Sequence, residues 1–196
     1  MKPFSIILFF LLLTVLSCKQ PGHTDKKNHT ALPQEKETKS FFPVTSYLKG
    51  QLVDIKNSGK NPIRLSESNG KKDSVWLKVE EMETAFADFL APVIDSVTLS
   101  AYFTEKSFFD QTLNAVTLTY DPIVSIPASI PYQHWDIYID PEKNTVQRIY
   151  IVKRIAPDKV RQLTWQSGKW CRGITVTDKQ NGQSTVENEV TIKWDY

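Results

Sequence analysis

The stretch WDIYIDPEKNTVQRIYIVKRI, residues 135–155, decides the fold of this chain. Two stretches rich in isoleucine, valine and aromatic residues, Trp135 to Asp140 and Thr145 to Ile155, flank the segment Pro141 to Asn144, whose proline and asparagine favour a turn. Runs rich in isoleucine, valine and tyrosine are typical of β-strands, so the stretch predicts an antiparallel hairpin. Its second strand is apolar on both faces from Ile149 to Val152, which indicates a central strand of a sheet.

The same pattern continues to the C-terminus and extends the hairpin into a meander. Three further strands are predicted at Val160 to Gln166, Lys169 to Thr177 and Val186 to Asp195, and short turns between successive strands give antiparallel pairing. An alternating run at Val116 to Tyr120 predicts a strand before the meander.

The N-terminal part of the domain, which begins at Phe41, is predicted to supply helices and a hairpin. Val44 to Ile55 carries apolar residues at helical spacing, and Met82 to Leu90 does the same before Pro92 ends the pattern. Between them, Asn69-Gly70 predicts a turn joining two short strands at Ile63 to Glu67 and Ser74 to Val79. The predicted fold class is therefore α+β: a curved antiparallel sheet with a C-terminal five-stranded meander, packed with two or three N-terminal helices.

Simple turn closure predicts which residues face each other in two hairpins. A two-residue Ser167-Gly168 turn would place Trp165 opposite Trp170 and Leu163 opposite Arg172. The four-residue turn would place Ile137 opposite Arg148 and Trp135 opposite Tyr150. Both hairpins then collect aromatic rings and an arginine on one face, which fits either core packing or an open ligand site. The candidate ligand-binding residues are Trp135, Arg148, Tyr150, Trp165, Trp170 and Arg172.

The first eighteen residues predict where the protein resides. Lys2 precedes an apolar run from Phe4 to Leu16, and Ser17-Cys18 closes it. This ending resembles the lipobox of bacterial lipoproteins, in which the cysteine is lipidated and the peptide before it is removed. As a helix the fifteen residues from Pro3 to Ser17 would measure roughly 22 Å, too short for a bilayer core of about 30 Å. The resemblance implies a signal peptide at 1–17, lipid attachment at Cys18 and stable membrane anchoring.

The residues after Cys18 predict a tether in front of a single domain at 41–196. From Lys19 to Ser40 the composition is polar and has too few apolar residues to form a core. By the same resemblance to Gram-negative lipoproteins, Lys19 directly after the cysteine implies the outer membrane of the cell envelope. The whole chain holds 24 Lys and Arg against 22 Asp and Glu, a balance that argues against nucleic acid as a partner.

The sequence offers few groups for catalysis. His134 is the one histidine of the predicted domain and shares a strand face with Asp136, because alternate residues point to the same side. Two carboxylate pairs, Glu105 with Asp110 and Asp136 with Asp140, have the composition of a hydrolytic dyad. Cys171 has no cysteine partner in the mature chain, and we expect it to be buried.

These observations predict a protein without enzymatic activity, cofactor or metal. The expected function is a membrane-anchored envelope lipoprotein that binds a hydrophobic or anionic ligand, or another envelope protein, through the aromatic and arginine face. Small envelope lipoproteins that carry other lipoproteins or acyl chains in an open half-barrel are similar in length and architecture. The alternative is a lipid-anchored hydrolase that acts through His134 or a carboxylate pair.

Overall fold

A computed structural model describes residues 40–179 and 182–196 of the chain. The predicted signal peptide, Cys18 and nearly all of the tether lie outside these residues. The described residues form nine strands, four α-helices and one 3₁₀ turn at Val79–Glu81. The helices are α1 (Val44–Asn57), α2 (Met82–Ala85), α3 (Ala87–Leu90) and α4 (Ser96–Leu99). The strands are β1 (Ile63–Ser68), β2 (Lys71–Trp76), β3 (Phe103–Asp110), β4 (Ala115–Pro122), β5 (Tyr132–Asp140), β6 (Thr145–Ala156), β7 (Lys159–Gln166), β8 (Trp170–Asp178) and β9 (Ser184–Lys193).

All nine strands belong to one open antiparallel sheet in the order β2-β1-β9-β8-β7-β6-β5-β4-β3. The predicted five-stranded meander is confirmed as β5 to β9, with β6 in the interior of the sheet. The sheet is larger than predicted, because β3 and β4 extend it on one side. The N-terminal hairpin extends it on the other, where β1 pairs with β9. This β1–β9 pairing joins residues far apart in the sequence, which local turn signals do not encode.

The helices pack on one face of the sheet, here called the inner face. Helix α1 is confirmed, and its buried stripe Val44, Leu48, Leu52 and Ile55 is the apolar pattern of the sequence. The predicted second helix is instead two short helices, since Phe86 between them leaves the helical backbone region. Phe86 is nevertheless fully buried. The inner face and the helices thus share one hydrophobic core. Within the described ranges, no helix has the length and apolarity that a membrane span requires.

Candidate functional site

The sheet has an outer face opposite the helices, and its side chains form the candidate site. Alternate residues of each strand point to opposite faces. On β6, Ile149 and Ile151 are buried against the core, while Tyr150 and Val152 between them remain partly exposed. The outer face is therefore a half-buried surface without a helix layer of its own in the described part of the chain.

The β7–β8 hairpin has a different register from the predicted one. Gln166 pairs with Trp170 across a three-residue turn, Ser167 to Lys169, and the predicted pairing of Gln166 with Lys169 is wrong. Gly168 adopts a φ of +73° in this turn, a left-handed conformation that suits glycine in longer hairpin turns. Because the turn is one residue longer, every side chain of β8 changes face relative to the prediction. The observed pairs are Trp165 with Cys171, Thr164 with Arg172 and Leu163 with Gly173.

The β5–β6 hairpin follows the prediction for two pairs and then departs from it. Asp140 pairs with Thr145 and Ile139 with Val146, as predicted. The next pair is Tyr138 with Arg148, so β6 carries one extra residue, a β-bulge at Gln147. Beyond the bulge, the predicted pairs of Ile137 with Arg148 and Trp135 with Tyr150 are wrong. The observed pairs are Ile137 with Ile149, Asp136 with Tyr150 and Trp135 with Ile151.

As a result, two of the six candidate residues lie in the core. Trp135 is fully buried and stacks on Tyr120, with 4.7 Å between ring centroids and 9° between planes. Trp165 is fully buried against Phe86 of the helical layer and against Trp194. These contacts are the aromatic core packing that the sequence analysis left open. The predicted common face of all six residues is therefore wrong.

The other four candidates, Arg148, Tyr150, Trp170 and Arg172, lie together on the outer face. They belong to two adjacent rows of directly paired residues that cross the sheet. One row contains Lys193, Trp170, Gln166, Arg148 and Tyr138. The other contains Thr191, Arg172, Thr164, Tyr150 and Asp136.

The two arginines have different electrostatic surroundings. The Arg172 guanidinium donates to Glu189 Oε2 at 2.7 Å, a pair that neutralises its charge. The Arg148 guanidinium lies 5.6 Å from the centre of the Tyr138 ring, and its Nε donates to Gln166 Oε1 at 3.3 Å. Within the described residues no carboxylate comes within ion-pair distance of Arg148. Arg148 thus presents, beside the Tyr138 ring, a positive charge that no ion pair neutralises.

Two adjoining clefts open on the outer face on the β2 side of the sheet. One, of about 560 Å³, is lined by β1, β2 and β9. The other, of about 400 Å³, reaches Trp170 and Arg172. Both clefts include Glu189, Thr191 and Lys193. Together they have the size of a site for a small molecule or for a few residues of a partner chain.

A charged cluster around His134 occupies the other side of the outer face. Its Nδ1 lies 2.9 Å from Asp121 Oδ1, and its Nε2 lies 2.8 Å from Asp136 Oδ2. Lys106 donates to Asp121 at 3.0 Å, and Thr119 donates to Asp136 at 2.7 Å. The predicted shared face of His134 and Asp136 is confirmed, and the cluster ties together β3, β4 and β5.

This arrangement favours the charged imidazolium of His134. Burial alone would lower the pKa of His134, but the hydrogen bonds and charges of Asp136 and Asp121 outweigh it, and the pKa is raised. An imidazolium that donates both N–H groups to carboxylates has no free lone pair to accept a proton. The geometry is therefore that of a structural ion cluster more than that of a general base.

The two predicted carboxylate pairs do not form hydrolytic dyads. Glu105 and Asp110 are five residues apart on β3 and so point to opposite faces. Asp136 and Asp140 share a face of β5, but four residues of strand separate them by about 13 Å. That distance exceeds the roughly 5–9.5 Å that glycosidases use.

Cys171 and Lys153 are buried groups with structural roles. Cys171 is buried as predicted, and burial raises the pKa of its thiol, which keeps the sulfur protonated and unreactive. Lys153 lies in the inner layer, where burial lowers its pKa to about 8. Its Nζ donates to the carbonyls of Asp88 and, at 2.7 Å, of Ala91. It thereby caps the end of α3.

Sequence reasoning missed several outer-face residues. Asp121, Tyr138, Glu189 and Lys193 were not among the candidates, although each stands on a predicted strand or at its end. Strand alternation alone would have placed Tyr138 beside Asp136 on one face. The partner of Asp121 depends on the β4–β5 pairing across a nine-residue connection, for which the sequence carries no local signal.

The fold and site define a class: an open antiparallel sheet covered by helices on one face, with a polar and aromatic surface on the other. Comparisons with protein-family models, with curated proteins and with solved structures gave no significant match. No group of three or more His, Cys, Asp or Glu side chains suited to a metal ion occurs within residues 40–179 and 182–196.

Proposed function

We propose that this chain is a membrane-anchored, non-enzymatic lipoprotein of the cell envelope, more specifically of the outer membrane, that acts as a binding or assembly module. Its binding surface is the outer sheet face around Arg148, Tyr150, Trp170 and Arg172. The observation that carries this proposal is the pair of half-exposed rows that bring these four residues together beside two clefts. Aromatic residues and arginine are the types most enriched in binding hot spots.

The chemistry of this surface favours an anionic or amphipathic ligand. Arg148 carries a charge that no described carboxylate neutralises, and Tyr138 and Tyr150 stand beside it. An anionic group at Arg148 would form a charge-assisted hydrogen bond with the guanidinium. The aromatic rings and Trp170 would contact apolar parts of the same ligand, or of an envelope protein.

The hydrolase alternative would act through His134 or through a carboxylate pair. The separation of the two carboxylate pairs argues against the second route, and the contacts of His134 argue against the first. Both ring nitrogens are engaged by carboxylates, so the side chain would have to lose a partner before it could accept a proton.

The test compares two tryptophans of adjacent strands, one on each face. Trp170→Ala and Arg148→Ala should remove bound ligand or partner, detected by native mass spectrometry of the purified protein and by chemical crosslinking in cells. Their free energies of unfolding should stay within about 1 kcal/mol of wild type, as for partly exposed positions. Trp165→Ala should cost about 3–5 kcal/mol, because it empties a core position.

Arg154→Ala is the matched control for the arginine, since Arg154 is an exposed residue of β6 that contacts Gln133. It should leave binding intact. Equal binding by wild type, Trp170→Ala and Arg148→Ala would refute the proposed surface, and hydrolytic activity that disappears in His134→Ala would establish the alternative.

A further inference from the structure

Two connections of the chain are almost free of charge. The segments 91–102 and 123–131 hold 21 residues, and Asp95 is the one charged residue among them, whereas 23% of the whole chain is charged. Asp95 is occupied locally, because its Oδ1 accepts from Thr98 N at 2.8 Å and from Thr98 Oγ1 at 2.9 Å. This contact caps α4. The two segments, here called the apolar corner, therefore carry a single charge, the helix-capping carboxylate of Asp95.

The two segments lie side by side at one end of the sheet. Ile123 N donates to the Tyr102 carbonyl at 2.9 Å, which joins the end of the first segment to the start of the second. The Tyr132 hydroxyl, directly after the second segment, donates to the Pro92 carbonyl at the start of the first. The segments are thus held together at both ends.

The apolar corner exposes aliphatic side chains. Val97 is 92% exposed, and Val93, Ile123 and Val124 are each more than half exposed. Every exposed residue of the two segments is uncharged. Single exposed aliphatic residues are common, but a group of them on adjoining uncharged segments is typical of an interaction surface.

The start of the domain lies at the same corner. Phe41 N donates to Ser96 Oγ at 2.6 Å, next to Val97 in the sequence. Phe42 N donates to the Tyr120 hydroxyl at 3.0 Å. The chain that leads back to Cys18 therefore leaves the domain beside the exposed valines. Phe41 lies 23 residues after Cys18 in the sequence, so this corner is the part of the domain nearest along the chain to the proposed anchor.

We propose that the apolar corner rests on the lipid surface to which Cys18 anchors the chain. This inference depends on the proposed lipid anchor. Val93, Val97, Ile123 and Val124 would enter the boundary between headgroups and acyl chains, where apolar side chains gain from leaving water. Asp95, the one charged side chain of the corner, would stay at the level of the polar headgroups. Docking would turn a freely tumbling domain into one with a defined orientation.

The test uses the full lipidated protein, reconstituted into phosphatidylcholine vesicles and carrying one environment-sensitive fluorophore. Val97→Cys provides the labelling site, because Cys18 carries the lipid and Cys171 is buried. Leu113→Cys is the matched control, a partly exposed aliphatic residue in the turn at the other end of the β3–β4 hairpin. That turn lies about 26 Å away along the strand.

Docking predicts a blue-shifted, several-fold brighter emission at position 97 that brominated lipids quench, with little change at position 113. Adding Val97→Asp to an Ile123→Cys probe should abolish the quenching, while Leu113→Asp should not. Because position 97 is almost fully exposed, the aspartate does not threaten the fold.

Each other outcome overturns the proposal in a recognisable way. If the protein floats with the vesicles but the fluorophore is quenched equally weakly at positions 97 and 113, docking is refuted and the anchor stands. A probe at position 97 that is shielded in detergent as well as in vesicles shows that a second copy or another protein covers the corner. Protein that does not float refutes the anchor, and the docking proposal with it.

Discussion

At the scale of single residues, His134 is the centre of a charged cluster on the outer face. Asp121 and Asp136 bind its two ring nitrogens, and Lys106 binds Asp121 in turn. Asp121 reinforces the cluster, because hydrogen bonding from Lys106 and from His134 holds the pKa of its carboxyl below the ordinary value. The cluster therefore contributes most to stability while the imidazole is protonated and Asp121 is ionised.

The stability of the protein should depend on pH through this histidine. The pKa of His134 is raised in the folded state, so its contribution is complete below the unfolded value of about 6.5 and is lost as the pH rises through the folded value. We expect His134→Gln to lower the free energy of unfolding by about 1–3 kcal/mol at pH 5 and by clearly less at pH 9. Urea unfolding of both proteins at the two pH values measures this difference.

Lys106→Ala is the control for this prediction. It removes an exposed partner of Asp121 and should shift stability by less than about 1 kcal/mol, with little change between pH 5 and pH 9. A difference between wild type and His134→Gln that grows with pH would contradict the charged imidazolium.

At the scale of secondary-structure elements, the β7–β8 turn decides which side chains face the core. The turn depends on Gly168, whose φ is +73°, and side-chain-bearing residues adopt this conformation at a cost of roughly 1–2 kcal/mol. The register of the whole hairpin follows from this turn, and with it the burial of Trp165 and the exposure of Trp170.

Substitution by alanine at two different glycines should change the free energy of unfolding in opposite directions. Gly168→Ala should destabilise the protein by about 1–2 kcal/mol through its backbone conformation alone, because no atom would lie within 4 Å of the new methyl group. Gly50→Ala, in the middle of α1 and equally free of contacts, should stabilise it by about 0.5–1 kcal/mol. Thermal or urea unfolding of the two variants measures both changes in stability. If Gly168→Ala is as stable as wild type, the turn tolerates another conformation.

At the scale of the whole molecule, the proposed lipid anchor at Cys18 and the domain should be separable. We expect Cys18→Ser to abolish labelling by a fatty-acid analogue and to release the protein from membranes, because stable attachment requires the lipid chains. Its urea unfolding should match that of the wild-type domain.

Cys171→Ser is the complementary control. Cys171 is buried in the sheet, so this change should keep the labelling and lower stability by about 1–3 kcal/mol, the cost of burying a hydroxyl without a designed partner. Labelling that persists in Cys18→Ser would refute the lipobox interpretation.

The local elements of the fold could be predicted because their signals are local. The helical spacing from Val44 to Ile55 and the strand alternation of β5 to β9 each lie within a dozen or so residues. The shared face of His134 and Asp136 and the burial of Cys171 follow from the same short-range rules.

Which side chains share the face of the candidate site depends on single inserted residues, and short-range sequence patterns do not reveal these. One additional turn residue at Lys169 and one bulge at Gln147 moved Trp135 and Trp165 away from the four outer candidates. A strand has a side-chain period of two, so a shift of one residue exchanges its two faces completely.

The amino-acid sequence alone specified most of the strands, the long helix and the resemblance of the first eighteen residues to a lipobox, since each is a property of neighbouring residues. Tertiary structure alone decided that β1 joins β9, that Asp121 meets His134, and that Val97 lies beside the start of the domain. These contacts join residues between 13 and more than 100 positions apart. They arise because burying the inner face against the helices selects one register and one strand order, and no short segment contains that information.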